Sequence, residues 1–182
     1  MDLNYLGITW QAEQISVANA LFILAMVPFF SFLAYPLLNK IGLKVTPLRK
    51  IGAGFFFTAS SFVVVALAQQ LIDAGQTPSI AWQIWAFVLL TAGEVLISIT
   101  CLEYAYTQAP PSMKSTIMAC YLLSITLGNT LVSIIQNNIR EGGFFAQFHG
   151  AGFYWLFTGF CFATGILFAI ISPFIKERSY IE

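Results

Sequence analysis

Residues 51–72 read IGAGFFFTASSFVVVALAQQLI, an uncharged stretch that ends at Asp73. At a rise of about 1.5 Å per residue, a helix of this length crosses a bilayer core of about 30 Å. The stretch does not alternate between apolar and polar residues, as the strands of a spanning β-barrel do. It therefore predicts a transmembrane α-helix.

Four more long apolar stretches flank this one and end at charges, prolines or glycines. Together they predict an all-α integral membrane bundle over 17–175, with five spans at 17–39, 50–71, 83–108, 114–138 and 153–175. We expect residues 1–16 to be an extracytoplasmic lead-in and residues 176–182 a cytoplasmic tail. Pro110 and Pro111 end the third span because proline lacks an amide donor and clashes with the preceding turn. Pro28 predicts a kink inside the first span.

The composition excludes several classes of protein. Only 9% of the 182 residues are charged, against about 25% in a typical soluble domain, which argues against a soluble globular enzyme. A hydrophobic content of 58% argues against a disordered chain. The net charge is zero, and no dense cluster of basic residues predicts a nucleic-acid partner. The expected partner is the lipid bilayer.

The sequence predicts neither a cofactor nor a metal. Cys101, Cys120 and Cys161 are isolated in apolar runs, and none forms a Cys-x-x-Cys pair. His149, the single histidine, lies in a glycine-rich stretch that predicts a solvated loop.

Basic residues set the expected orientation. Seven of the eight fall on one side of a five-span bundle: Lys40, Lys44, Arg49, Lys50, Lys114, Lys176 and Arg178. The other side holds only Arg140. Because cytoplasmic loops carry the excess of Lys and Arg, we expect a multi-pass protein of the inner or plasma membrane, with its N-terminus outside and its C-terminus cytoplasmic.

The beginning of the chain is unusual for such a protein. Residues 1–13 contain Asp2 and Glu13 but no Lys or Arg, whereas a secretory signal begins with positive charge. An acidic, external start and an odd number of spans lead us to expect a piece of a longer chain. The alternative is a genuine small five-helix protein.

Glu94 is the most informative residue. It lies about twelve residues into the third span, near the midplane, where a charged side chain costs about 2.5–3.5 kcal/mol or more. Ser98 follows one turn later on the same face. No Lys or Arg within the five spans can pair with Glu94, so its countercharge must come from a ligand, a proton or another part of the protein. We expect a substrate or proton site; the alternative is a protonated structural glutamate.

Other residues predict polar contacts or close helix packing. Glu103, near the cytoplasmic end of the third span, could pair with Arg49 or Lys50, or be hydrated. Tyr121, Ser124 and Gly128 share one face of the fourth span, which either lines the cavity of Glu94 or bonds to another helix. Small residues in the second and fifth spans predict close helix packing: Gly52, Ala53, Gly54, Ala59, Ser60, Ser61, Gly159 and Gly165.

Several long motifs resemble one family. They are the runs Thr91-Ala92-Gly93-Glu94-Val95-Leu96-Ile97-Ser98, Leu102-Glu103-Tyr104-Ala105-Tyr106-Thr107-Gln108-Ala109-Pro110 and Ser112-Met113-Lys114-Ser115. All three resemble the proton-dependent oligopeptide transporter (POT) family of the major facilitator superfamily. The segments 35–50 and 122–129 also resemble, respectively, its loop between helices eight and nine and its helix eleven.

The resemblance implies that the five spans are helices eight to twelve of the C-terminal bundle, and that the N-terminal helix bundle is missing. It implies that Glu94 meets the N-terminal amine of a di- or tripeptide, and that Ser98 and Asn19 line the same pocket. Tyr121 stands where the family commonly has tryptophan. The family's glutamate-rich first-helix motif, which serves proton coupling, does not occur in this sequence.

The function expected from the resemblance is a proton-coupled di- or tripeptide symporter that works by alternating access. It is not an enzyme, its coupling ion is a proton, and this chain alone should be inactive. Two alternatives stay open. One is a stand-alone, non-transporting membrane scaffold or truncated gene product. The other is the same fold with a different small amine-bearing substrate.

Overall fold

The computed structural model describes residues 4–5, 8–9, 12–42, 45–148 and 150–175. Two short antiparallel strands, β1 and β2, come first, and helices follow. The elements are β1 (Asn4–Tyr5), β2 (Ile8–Thr9), α1 (Ala12–Phe29), α2 (Tyr35–Lys40), α3 (Pro47–Asp73), α4 (Ala81–Glu94), α5 (Thr100–Thr107), α6 (Lys114–Arg140) and α7 (Ala151–Ile171). Short 3₁₀ turns occur at Pro111–Met113, Phe144–Gln147 and Ser172–Phe174.

Two of the spans contain a π-helical turn. Phe30–Ala34 joins α1 to α2, and Val95–Ile99 joins α4 to α5. The first of these turns follows closely after Pro28, which lies inside α1. Proline cannot donate the regular helical hydrogen bond, and such sites deform helices. The local disturbance that the sequence predicted as a kink is thus a π-helical turn.

Five helices in the described part of the chain are long and apolar enough to cross a membrane. They are Asn19–Lys40, Pro47–Asp73, Ala81–Thr107, Lys114–Arg140 and Ala151–Phe174. This confirms the predicted fold class, an all-α protein with five candidate transmembrane helices. The predicted tail, residues 176–182, lies outside the described residues, as do His149 and several residues of the predicted lead-in.

The helices begin and end a few residues away from the predicted bounds, for local reasons. The second span begins at Pro47 because the Thr46 hydroxyl accepts a hydrogen bond from the Arg49 amide (3.4 Å) and Pro47 suits the first helical position. The fourth span continues to Arg140 and ends where Gly142 adopts a φ of 73°. Glycine adopts this left-handed conformation without a steric penalty.

The core forms around α3, which packs against α4 on one side and α7 on the other. Phenylalanine pairs join α3 to α7, among them Phe55 with Phe168, whose ring centroids are 5.6 Å apart. A Cβ on Gly165 would lie 3.1 Å from the Cβ of Phe55, so the close packing predicted there is confirmed. The same prediction is wrong for Gly159, which faces open space, and for Ala53, which is exposed.

The outer helices are much less covered. In the first and fourth spans, no residue of the most apolar part is fully buried. The first span rests mainly on α4, and α6 rests on α5. Of the residues on the predicted α6 face, Ser124 and Gly128 are exposed and Tyr121 is half-buried. The polar face predicted for the fourth span is therefore open in this structure.

Candidate functional site

Close packing of α4 on α3 fixes the direction of Glu94. A Cβ on Gly93 would lie 2.3 Å from Thr58 Oγ1 and 2.9 Å from the carbonyl oxygen of Gly54, so Gly93 faces α3 directly. Glu94, the last residue of α4, follows on a different side of the helix and is exposed. Nothing in the described part of the chain forms a hydrogen bond or ion pair with its carboxylate.

A hydrogen bond between the first and third spans lies one helical turn from Glu94. The hydroxyl oxygen of Thr91 is 2.5 Å from Asn19 Oδ1 and 2.7 Å from the carbonyl oxygen of Phe87. The single hydroxyl proton of Thr91 is shared between these two acceptors in a three-centre hydrogen bond. Because Thr91 is fully buried, it holds Asn19 in place beside the Glu94 turn.

A second polar contact lies on the other side of Glu94. Tyr121 of α6 donates its phenolic proton to the carbonyl oxygen of Ser98, at 3.4 Å. Ser98 lies in the π-helical turn Val95–Ile99, and its side chain is exposed. The Ser124 hydroxyl in turn donates to the carbonyl oxygen of Tyr121, at 2.7 Å. The structure thus brings Ser98 and Tyr121 together, although they are 23 positions apart in sequence.

The predicted residues Asn19, Glu94, Ser98 and Tyr121 therefore form, together with Thr91, one polar strip across three spans. Asn19 is joined to Thr91, Glu94 follows one turn later, and Ser98 with Tyr121 comes one turn after that. We call these five residues the polar strip. A charge near the centre of a transmembrane helix is expected to face a cavity or a partner, and the exposed side of α4 provides such a position.

Glu103 lies apart from the polar strip. It lines a cavity of about 220 Å³ together with Tyr35 and Lys50. The Lys50 ammonium lies 4.1 Å from the centroid of the Tyr35 ring, a cation–π contact that the sequence did not predict. This places Glu103 near one of the two cations suggested for it. Its gating or structural role stays a prediction.

The sequence did not predict two features of the site. Thr91 carried no assigned role, although it anchors Asn19. The π-helical turn after Glu94 also escaped prediction, because residues 95–99 include no proline or glycine that would signal it. Turns of this kind frequently occur at functional sites.

A sequence profile described as the POT family matches residues 1–151, which is most of the chain. The chain belongs to the POT family. The resemblance predicted from the sequence motifs is thereby confirmed.

Relatives from several organisms support the same assignment. Proteins similar to the chain include the peptide transporter PTR2 of Saccharomyces cerevisiae, at 32% identity over 82% of this chain and 26% of that protein. Solute carrier family 15 member 2 of Homo sapiens is 53% identical over 48% of this chain and 12% of that protein. The chain thus spans about a quarter of the length of the yeast relative. The yeast relative is a peptide transporter and not an enzyme.

Solved structures of POT family transporters share the fold. An auto-inhibited peptide transporter superposes with a TM-score of 0.84 at 29% identity, over the whole of this chain and 37% of that one. The transporter PepTSo superposes with a TM-score of 0.78 at 35% identity, over 94% of this chain and 35% of that one. The all-helical arrangement is therefore that of a multi-pass membrane transporter family.

Proposed function

We propose that the chain supplies helices eight to twelve of a proton-coupled symporter for di- and tripeptides. Membership of the POT family and the five candidate spans support this proposal. In a transporter of this class, two helix bundles rock around a site near the midplane, which opens alternately to each side. In this proposal the chain supplies five helices of the C-terminal bundle, and the missing N-terminal bundle covers the exposed face of α6.

The observation that carries the proposal is the unpartnered carboxylate of Glu94 within the polar strip. A peptide's N-terminal ammonium supplies the positive charge that no described residue gives it. A charge-assisted hydrogen bond of this kind is about twice as strong as a neutral one and gains strength where water is excluded. The amide of Asn19 and the hydroxyls of Ser98 and Tyr121 can bond the peptide's own amide groups.

Proton coupling is assigned to residues outside this chain. The resemblance implies a glutamate-rich motif with an arginine in the first helix, and this sequence lacks that motif. Glu94 binds the substrate in this proposal, and the proton acts as the coupling ion elsewhere. The chain by itself is then expected to be inactive, since half of the cavity wall and the coupling residues are absent.

Transport in proteoliposomes tests the proposal. The longer polypeptide that contains these helices is expected to accumulate a labelled dipeptide when the outside is acidic, and a protonophore is expected to abolish accumulation. The 182-residue chain is expected to accumulate none under the same conditions. Accumulation by this chain alone would overturn its expected inactivity. Uptake that does not depend on the proton gradient would overturn proton coupling.

The two alternatives have their own tests. A reading frame that continues upstream of Met1 and encodes seven more helices supports the transporter, whereas an upstream stop codon supports the stand-alone scaffold. Competition assays separate peptides from other amines. Inhibition of dipeptide uptake by other di- and tripeptides, but not by single amino acids or simple amines, supports the proposed substrate class.

A further inference from the structure

The cavity that Glu103 lines lies between the first three spans. Its volume is about 220 Å³. Each π-helical turn supplies part of its wall: Phe30 and Ser31 belong to the turn in the first span, and Val95 and Ile99 to the turn in the third. The irregular parts of these two spans therefore face the same space. We call this space the π-turn cavity.

One cation and one anion line the π-turn cavity. They are Lys50, in the first turn of α3, and Glu103 of α5. The Lys50 ammonium lies 4.1 Å from the centroid of the Tyr35 ring, and Glu103 acts electrostatically on the same tyrosine. Arg49, the other cation that the sequence suggested for Glu103, does not line this cavity. The geometry therefore favours Lys50 as the counterion of Glu103.

The size and charge of the cavity favour water as its occupant. Sites for small organic ligands usually have volumes of about 300–1,000 Å³, so this cavity is small for one. The charges of its lining residues sum to zero, so they select neither a cation nor an anion. The hydroxyls of Ser31 and Thr100 also line it and make no hydrogen bond with another described residue. These groups can serve buried water, which makes about three hydrogen bonds.

We propose that Lys50 and Glu103 interact through water in the π-turn cavity, and that this interaction holds the π-helical turn Val95–Ile99 in place. The turn carries Ser98 and directly follows Glu94. Water that inserts into the backbone ladder is one known cause of helix irregularities. Lys50 and Glu103 are then positioning residues, which set where the polar strip lies without touching the substrate. Their effect on substrate binding rests on the proposed function, whereas their hold on the turn does not.

Hydrogen exchange tests the interaction in the 182-residue chain. K50Q and E103Q are each expected to speed amide exchange at Val95–Ile99 about two- to five-fold, the ratio that corresponds to the usual strength of a partly exposed ion pair. Because both substitutions break the same interaction, K50Q/E103Q is expected to exchange no faster than either single variant. K50R keeps the cation and is expected to exchange as the original chain does. Effects that multiply in the double variant, or no effect of either substitution, would overturn the proposal.

Two controls separate this interaction from general loosening. The Lys114 ammonium also lies over a tyrosine ring, 4.3 Å from the Tyr106 centroid, but Lys114 does not line the π-turn cavity. K114Q is therefore expected to leave exchange at the turn unchanged. Gly93, which packs closely on α3, is expected to stay protected in every variant. An equal acceleration in K114Q, or at Gly93 in K50Q and E103Q, would show a general effect and overturn the proposal.

Peptide binding by the longer polypeptide that contains these helices tests the positioning role. Displacement of the turn moves Ser98, so E103Q is expected to weaken binding of dialanine and N-acetyl-dialanine alike, by about two- to five-fold. No loss, or a loss confined to dialanine, would overturn this role, since the second result means that Glu103 meets the peptide's ammonium itself. If the unaltered polypeptide binds neither peptide, the proposed function fails, whereas the exchange rates still decide the interaction between Lys50 and Glu103.

Discussion

Gly54 and Gly93 meet backbone to backbone where α3 crosses α4. A Cβ on Gly54 would lie 3.0 Å from the carbonyl oxygen of Gly93, and one on Gly93 would lie 2.9 Å from the carbonyl oxygen of Gly54. Neither backbone can yield as a flexible side chain would. This contact fixes the face that α4 presents to the core, and with it the exposed direction of Glu94.

We expect G93A to push α3 and α4 apart and to lower the free energy of unfolding by about 1–3 kcal/mol, the usual cost of overpacking. G128A is the control, because Gly128 lies in a helix with open space around its Cβ position. That substitution is expected to be neutral or to stabilise by up to about 1 kcal/mol through helix propensity. Thermal unfolding in detergent measures both. Equal stability of the two variants would contradict the packing assigned to Gly93.

The bond between Asn19 and Thr91 is expected to stabilise the contact between the first and third spans modestly. Interhelical hydrogen bonds in membrane proteins average about 0.6 kcal/mol and reach about 1.7 kcal/mol. A double-mutant cycle with N19A and T91V should give a coupling energy in this range. T126V is the control, since the Thr126 hydroxyl bonds only within its own helix, to Leu122 at 3.1 Å. A coupling energy of zero in the cycle would show that Thr91 does not anchor Asn19.

Asp73 is expected to stabilise the beginning of α7. Its carboxylate accepts a hydrogen bond from the Ala151 amide at 3.2 Å, 78 positions away, and so acts as the cap that Gly150 cannot provide. Removing a cap costs about 0.5–2 kcal/mol. D73A should therefore speed amide hydrogen exchange at the first turn of α7, whereas E141A, which removes an acidic residue just after α6, should not. Unchanged exchange in D73A would show that the cap does not form.

The expected orientation can be measured with single cysteines. In a background without Cys101, Cys120 and Cys161, K114C should react with an impermeant thiol reagent only from the cytoplasmic side. R140C, at the other end of α6, should react only from outside. The reversed pattern would contradict the orientation predicted from the basic residues.

Much of the fold could be predicted from the sequence because hydropathy and helix-ending residues are local signals. The end of the third span is an example. The structure ends α5 at Thr107, close before Pro110. The π-helical turns and the open position of Gly159 could not be predicted, since they depend on what the neighbouring helices leave room for.

Four residues of the polar strip could be predicted from the sequence, but Thr91 and the contacts that join the strip could not. Glu94 was predicted as a site residue because it is a charge in the middle of an apolar span. Asn19, Ser98 and Tyr121 were predicted because of the family resemblance. The contacts that join them pair residues 72 and 23 positions apart. Sequence spacing along one helix does not encode such contacts, because they depend on how the helices pack.

The role of Glu94 is tested most directly by pairing a variant with a modified substrate. The longer transporter and its E94Q variant are assayed for binding of dialanine and of N-acetyl-dialanine, with E141Q as the control. We predict that E94Q weakens dialanine binding about 10- to 100-fold, as loss of a hydrogen bond between charged groups implies, and leaves the weak binding of the acetylated peptide unchanged. An equal loss for both peptides, or full dialanine binding by E94Q, would contradict the account.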